Sequence, residues 1–221
     1  MSKPLRKRIT YYTDLEEQLN VITHGLGMMI SPLACVLLIL KALEYNYIWA
    51  IISFPVFGIS MATLYTASTL YHNASNIKTR FRLNIFDHAA IYVLIAGTYT
   101  PFALVTLHGP LGWTIFGIIW ALAVTGIILK VFYIGRYDVL STLMYVGMGW
   151  LVVFSYNSLA ENLSSGGLTW VIAGGISYTV GAVIYLLRRM PFNHTVFHVF
   201  VLSGSFCHFM AVYFHVIPPI K

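Results

Sequence analysis

The sequence predicts an all-α integral membrane protein: a seven-transmembrane helix bundle with its N-terminus in the cytoplasm and its C-terminus outside. Three observations predict it. Charged residues make up only 9% of the 221 and hydrophobic residues 58%, whereas about a quarter of a soluble domain is charged; water does not solvate so apolar a chain once it is compact. Apolar runs of about 20 residues, the length that crosses a bilayer as a helix, recur seven times, and each can pair its backbone polar groups internally. Finally, eleven of the 13 Lys and Arg residues fall on one side of a seven-span arrangement, as expected of short cytoplasmic loops. Losing or merging a span would put later basic loops on the wrong side, so the charges support the span count independently of hydropathy. The short alternating strands of an outer-membrane barrel are absent.

Taken in order, residues 1–20 carry Lys3, Arg6, Lys7 and Arg8, then Asp14, Glu16 and Glu17. With no apolar stretch, this is not a cleavable signal peptide. It reads as a cytoplasmic segment ending in a short interfacial helix, and the first span acts as its own insertion signal. The transmembrane domain covers 21–217, with spans at 21–43, 47–71, 88–107, 112–133, 139–158, 168–187 and 195–217. Lys78, Arg80 and Arg82 follow span 2, Lys130 and Arg136 edge the loop after span 4, and Arg188 and Arg189 follow span 6. Only Lys41 and Lys221 fall outside. Glu44 and Glu161 read as solvated charges of outer loops, and Asp138 as a solvated partner beside Arg136. Pro101, in the GTYTPF stretch, either kinks span 3 and opens a cavity or ends the helix. Cys35 and Cys207 lie inside apolar runs and read as small core residues, with no disulfide framework. The net charge of +6 does not indicate nucleic acid, because the basic residues form no continuous face. The localisation expected from these runs is a membrane, with multiple passes.

An ionisable residue at or inside a span marks a functional site by default. His72 ends span 2, Asp87 opens span 3, and His194 and His198 open span 7, all on the cytoplasmic side. The two histidines of span 7 are spaced i,i+4 and share a helix face about 6 Å apart along the axis. They can bind one metal ion, with His72 supplying a third nitrogen from a neighbouring helix. Three neutral imidazoles plus water form the open coordination of catalytic zinc. HTVFH is not the metalloprotease motif, which places Glu after the first His. Ser68 lies one turn from His72 on the same face and can hydrogen-bond a bound water or a polarised carbonyl. Asp87 is a general base for that water or only orients it. Zinc brings the pKa of bound water to about 7.

The other histidines carry weaker readings. His24, a turn into span 1, either lines the site or is a structural hydrogen-bonding residue. His88 is about 100° round the helix from Asp87 and reads as packing or interfacial. His208, about 15 Å deeper than His198, is too far to ligate the same ion and reads as a bundle hydrogen-bonding residue. His108 and His215 read as solvated near the outer interface. The many Tyr and Trp residues read as interface anchors.

The segments EEQLNVITHGLG (16–27), STLYHNASNIKTRFRLNIFDHAAIYVLIAGTYTPF (68–102) and HTVFHVFVLSGSFCHFMAVY (194–213) resemble the bacterial hemolysin III family. That family belongs to the progestin and adipoQ receptor superfamily, which includes the adiponectin receptors and is similar to alkaline ceramidases. The resemblance covers nearly the whole chain. It implies a seven-helix bundle holding Zn2+ near the cytoplasmic side through His72, His194 and His198, with Ser68 and Asp87 contacting or holding the zinc-bound water. It also implies a bacterial cell (inner) membrane as the localisation, hydrolysis of ceramide-type lipid amides in some relatives, and a place in membrane lipid or energy homeostasis.

Three functions compete. The first is an intramembrane zinc hydrolase of a lipid amide or ester, whose tail lies in the bundle and whose carbonyl meets the metal. The second is a zinc-stabilised sensor or receptor without catalysis. The third, a haemolytic pore-former, ranks last, because a secreted pore-former needs a soluble state and no row of charges lines a channel. In the first two, the partner expected is a membrane lipid, as substrate or ligand.

Overall fold

The computed structural model describes residues 9–218; Lys3, Arg6, Lys7, Arg8 and Lys221 of the charge count lie outside them. Seven helices long and apolar enough to cross a membrane follow one another: α1 Asp14–Tyr45, α2 Ile48–Asn73, α3 Ile77–Leu107, α4 Gly109–Tyr133, α5 Asp138–Asn162, α6 Ser165–Leu186 and α7 Asn193–His215. No strand occurs among the described residues. The connections are short, so successive helices run antiparallel. The N-terminus of α1 shares one end of the bundle, here the near end, with the end of α2 and the starts of α3 and α7.

Two helices start well before the apolar runs do. The α1 helix begins at Asp14 rather than near residue 21, because the Thr13 hydroxyl accepts the Glu16 N–H at 3.3 Å and completes an N-cap. Asp14, Glu16 and Glu17 thus form the first turn of the membrane helix itself. The α3 helix begins at Ile77 rather than near 88, because the Asn76 side chain accepts from the N–H groups of Lys78 and Thr79 at 3.0 and 3.2 Å. Both extensions are polar, which is why hydropathy misses them, and both carry residues of the site.

The α1 helix packs along α2 and also meets α7; α2 packs along α3, α3 along α4, and α6 along α7. The most buried helix is α3. Of its most apolar stretch 83% is buried, against 50% in α2 and 39% or less elsewhere, so it runs through the middle of the bundle. Pro101 does not end it. The helix goes on through Phe102–Leu107 as a π-helix, the local widening that accommodates a proline with no N–H to give. The α6 helix buries Gly167, Gly174 and Gly181, a stripe with a seven-residue repeat that lets α7 approach closely. A Cβ at Gly174 would sit 2.5 Å from His208 Nε2, and one at Gly181 2.9 Å from Phe200 Cβ. Large apolar side chains such as Met29, Leu33, Phe132 and Phe154 face outward, as a surface in contact with lipid requires.

Candidate metal centre

At the near end, His72 from α2 meets His194 and His198 from α7. All three are buried, and one ring nitrogen of each lies within 4.8 Å of the others. The Nε2 atoms of His72 and His194 are 3.1 Å apart. Two nitrogens at about 2.0–2.1 Å from a tetrahedral zinc would be about 3.3 Å apart, so the spacing suits a shared ion.

Hydrogen bonds set the tautomers. Glu17 Oε2 accepts from His72 Nδ1–H at 2.7 Å, leaving His72 Nε2 with a free lone pair toward the triad. Thr23 Oγ1 donates its own proton to backbone carbonyls of α1, Leu19 at 2.8 Å or Asn20 at 3.1 Å. It therefore accepts from His198 Nδ1 at 3.2 Å, which leaves His198 Nε2 bare as well. Carboxylate and hydroxyl acceptors behind metal-ligating imidazoles are the usual way such rings are oriented. His194 Nδ1 is buried without a hydrogen-bond partner among the described residues. Inward lone pairs crowded together, with no proton between most of them, are an arrangement that a cation relieves, so the residues fit a metal.

Other groups hold the triad in place. Glu17 also ion-pairs with the buried Arg80, which reaches the His72 and Ala74 carbonyls at 3.4 Å. The guanidinium lies over the rings of Tyr71 and Tyr11, 4.8 and 5.3 Å from their centroids. Thr195 donates to Asn20 Oδ1 at 2.6 Å, tying α7 to α1. His24 stacks on His198 with ring centroids 3.4 Å apart. On the other side Tyr12 stacks on His194 at 4.8 Å. Burial pushes the Tyr12 phenol well above its ordinary pKa, so it stays protonated and neutral over the site.

Ser68 and Asp87 are both buried and lie side by side. The Ser68 hydroxyl is turned toward the Asp87 carboxyl. Together with His24, His194 and His198 they line one end of a cavity of about 340 Å³ that runs through the bundle to Leu107 and Leu159. That volume falls in the range of ligand pockets, and an apolar wall with a few polar groups at one end is their usual character. Val153 and Tyr156 of α5 and Ile172 of α6 line the cavity and are themselves well exposed. From the near face a recess of about 20 Å³ reaches His194 beside Tyr12.

Of the five residues chosen from sequence, Ser68, Asp87, His194 and His198 thus line one end of one cavity, and His72 adjoins them with its Nε2 3.1 Å from that of His194. His24 and His88 line the cavity too; His88 Nδ1 donates to the Asn84 carbonyl at 2.9 Å. His208 is held deeper, its Nε2 donating to the Val171 carbonyl at 3.3 Å. Glu17, Asn20, Thr23, Arg80, Tyr12 and Lys130 escaped the sequence reading, which took most of the charged ones for loop or interface residues. One signal was there: Glu16, Asn20, His24, Gly27 and Ser31 recur every three or four residues and form the buried stripe of α1, a small and polar face that lipid does not accept.

Comparison with known proteins agrees with this architecture. A family model described as Haemolysin-III related matches residues 12–209. The chain is 48% identical over 203 residues to Hemolysin-3 of Bacillus cereus, covering 92% of this chain and 93% of that protein. It is 47% identical over 204 residues to the Hemolysin-3 homolog of Bacillus subtilis (strain 168), covering 92% and 96%. The Monocyte to macrophage differentiation factor of Homo sapiens is 29% identical over 174 residues, 75% of this chain and 71% of that one.

Proposed function

This chain belongs to the haemolysin-III related family, and from that membership and the buried histidine triad we propose that it is a multi-pass membrane zinc protein that hydrolyses a lipid amide or ester. The observation that carries the reading is the triad's position: three imidazoles, two of them with fixed tautomers, at the polar end of a lipid-sized cavity. His72, His194 and His198 would hold the ion. Zinc on three neutral imidazoles supplies Lewis acidity to a carbonyl and to water.

The chain's own residues supply the rest. The lipid tail occupies the apolar length of the cavity, which brings its carbonyl to the polar end. Asp87 takes a proton from the attacking water and returns it to the leaving group, the role of a general acid–base. Ser68, beside Asp87, donates its hydroxyl to the carbonyl oxygen as negative charge develops there. Tyr12 and His24, stacked on either side of the triad, limit bulk water at the centre. The near end is proposed to face the cytoplasm, and a role in membrane lipid homeostasis follows from the substrate class.

A zinc-stabilised sensor is the second reading. It is favoured by the triad joining α2 directly to α7, a junction continued deeper in the bundle by the Tyr65 hydroxyl of α2, which donates to Ser205 Oγ of α7 at 2.7 Å. The test is purified wild-type protein, as isolated and after chelation, incubated with a panel of lipid amides and esters. Chelator-sensitive release of fatty acid supports hydrolysis; an inert protein with one tightly held zinc supports the sensor.

A further inference from the structure

Lys130 is the candidate that the metal centre does not absorb. It lies near the end of α4 with 4% of its surface exposed, and it lines the main cavity at the same end as Asp87 and Ser68. The other strongly buried cation, Arg80, is ion-paired with Glu17. The exposed Arg188 is paired with Asp138 at 3.2 Å, and Lys41 with Glu44 at 3.0 Å. Lys130 has no carboxylate within 4 Å and no hydrogen-bond partner among the described residues. The Tyr145 ring lies 5.9 Å from the ammonium.

An ammonium withdrawn from water is costly to keep without an anion beside it. Two carboxylates lie farther off. Asp138 is already taken up by Arg188, and Asp87 faces Ser68. The space in front of the ammonium is the cavity itself. Any lipid whose carbonyl reaches the triad places its headgroup within this same polar end.

We propose that Lys130 binds an anionic group, phosphate or carboxylate, carried by the lipid that enters this cavity. The substrate class is then an anionic acyl lipid rather than a neutral acyl amide or glyceride. The inference rests on the lipid-hydrolase reading for the word substrate, but the binding it describes needs no turnover.

The test uses full-length purified protein in a neutral detergent and three probes with one acyl chain in common: a 1-acylglycerol 3-phosphate, the free fatty acid and the monoacylglycerol. Wild type should bind at least one of the two anionic probes roughly ten- to a hundredfold more tightly than the monoacylglycerol, the worth of a hydrogen bond to a charged group. Whichever probe it is identifies phosphate or carboxylate as the group recognised. Lys130→Met should abolish the preference with zinc content unchanged, and Lys130→Arg should retain it. Equal affinity of wild type for all three probes overturns the proposal, and needs no variant to fold. So does a preference that survives in Lys130→Met. A Lys130→Met protein that is merely less stable, with its preference intact, makes Lys130 a counter-ion of Asp87 instead. Hydrolysis confined to neutral lipids sinks this inference and leaves the hydrolase reading; a Lys130-dependent preference without hydrolysis does the reverse.

Discussion

Glu17 shows how a residue outside the candidate metal triad can orient a member of it. One of its carboxylate oxygens fixes the tautomer of His72 and the other holds Arg80. Glu17→Gln keeps the shape but removes the charge, so zinc affinity should fall about 10- to 100-fold, the usual effect of losing such a partner. A titration against a chelator of known affinity measures this, and an unchanged affinity would mean that Glu17 serves only α1. Arg80 is left buried without its anion in the same variant, so the melting temperature should drop as well; breaking one side of a buried ion pair costs about 3–5 kcal/mol. His194→Ala or His198→Ala should lose most of the zinc. His208→Ala should keep it, since His208 is hydrogen-bonded to Val171 well away from the triad; equal loss in all three would mean that the ligands are misassigned. For Asp87→Asn, zinc content should hold while turnover falls roughly 10²–10⁴-fold if Asp87 moves protons. If it only pins α3, stability falls and turnover stays. At this scale the sequence is legible where chemistry repeats at helical spacing: His194 with His198, and Ser68 with His72. It is not legible for Glu17, Arg80 and Lys130, because a charge at the edge of an apolar run reads the same whether it faces water or a cavity.

The helices were legible as apolar runs, most of their ends to within a few residues, but the starts of α1 and α3 were not. Seven were expected and seven are found, but Thr13 and Asn76 extend α1 and α3 beyond the bilayer-length stretch by capping them at polar positions. Nor does the sequence announce that α3 passes through Pro101 into a π-helix, since a proline signals a break without saying how the chain repairs it. The glycine stripe of α6 makes the sharpest prediction about an element. Gly174→Ala places a methyl 2.5 Å from His208 Nε2 and 3.2 Å from the Gly204 carbonyl, so α6 and α7 must separate. Overpacking of this kind costs about 1–3 kcal/mol. Gly147→Ala in α5 meets nothing within 4 Å and should be neutral or gain up to about 1 kcal/mol in helix propensity. Thermal melts of the two variants, side by side in one detergent, check the contrast. Equal effects would show that the α6–α7 contact is looser than the geometry implies.

For the molecule as a whole, seven crossings put the two termini on opposite sides of the membrane. On the reading of the basic loops as cytoplasmic, we expect the N-terminus inside, so a reporter fused after Lys221 should be active only outside the cytoplasm. Activity inside would overturn this topology. Zinc should also act on stability, since an ion that binds only the folded bundle stabilises it by about 4 kcal/mol when present at about a thousand times its Kd. The melting temperature should rise with added zinc and fall with chelator, and a melt indifferent to both would remove the metal from the argument. The order in which the chain is made adds a last consequence. His72 and His194 lie 122 positions apart, and a ribosome adding about 5–20 residues per second takes about 6–24 s to pass from one to the other. During that interval Glu17, Arg80 and His72 are already in the membrane with one ligand and no partners for it. Under the proposed function, loading with metal would therefore be an event of late biogenesis, open only once α7 has been released and inserted. A nascent or truncated chain that ends before Asn193 should be metal-free, and an occupied centre would certify that synthesis and insertion are complete.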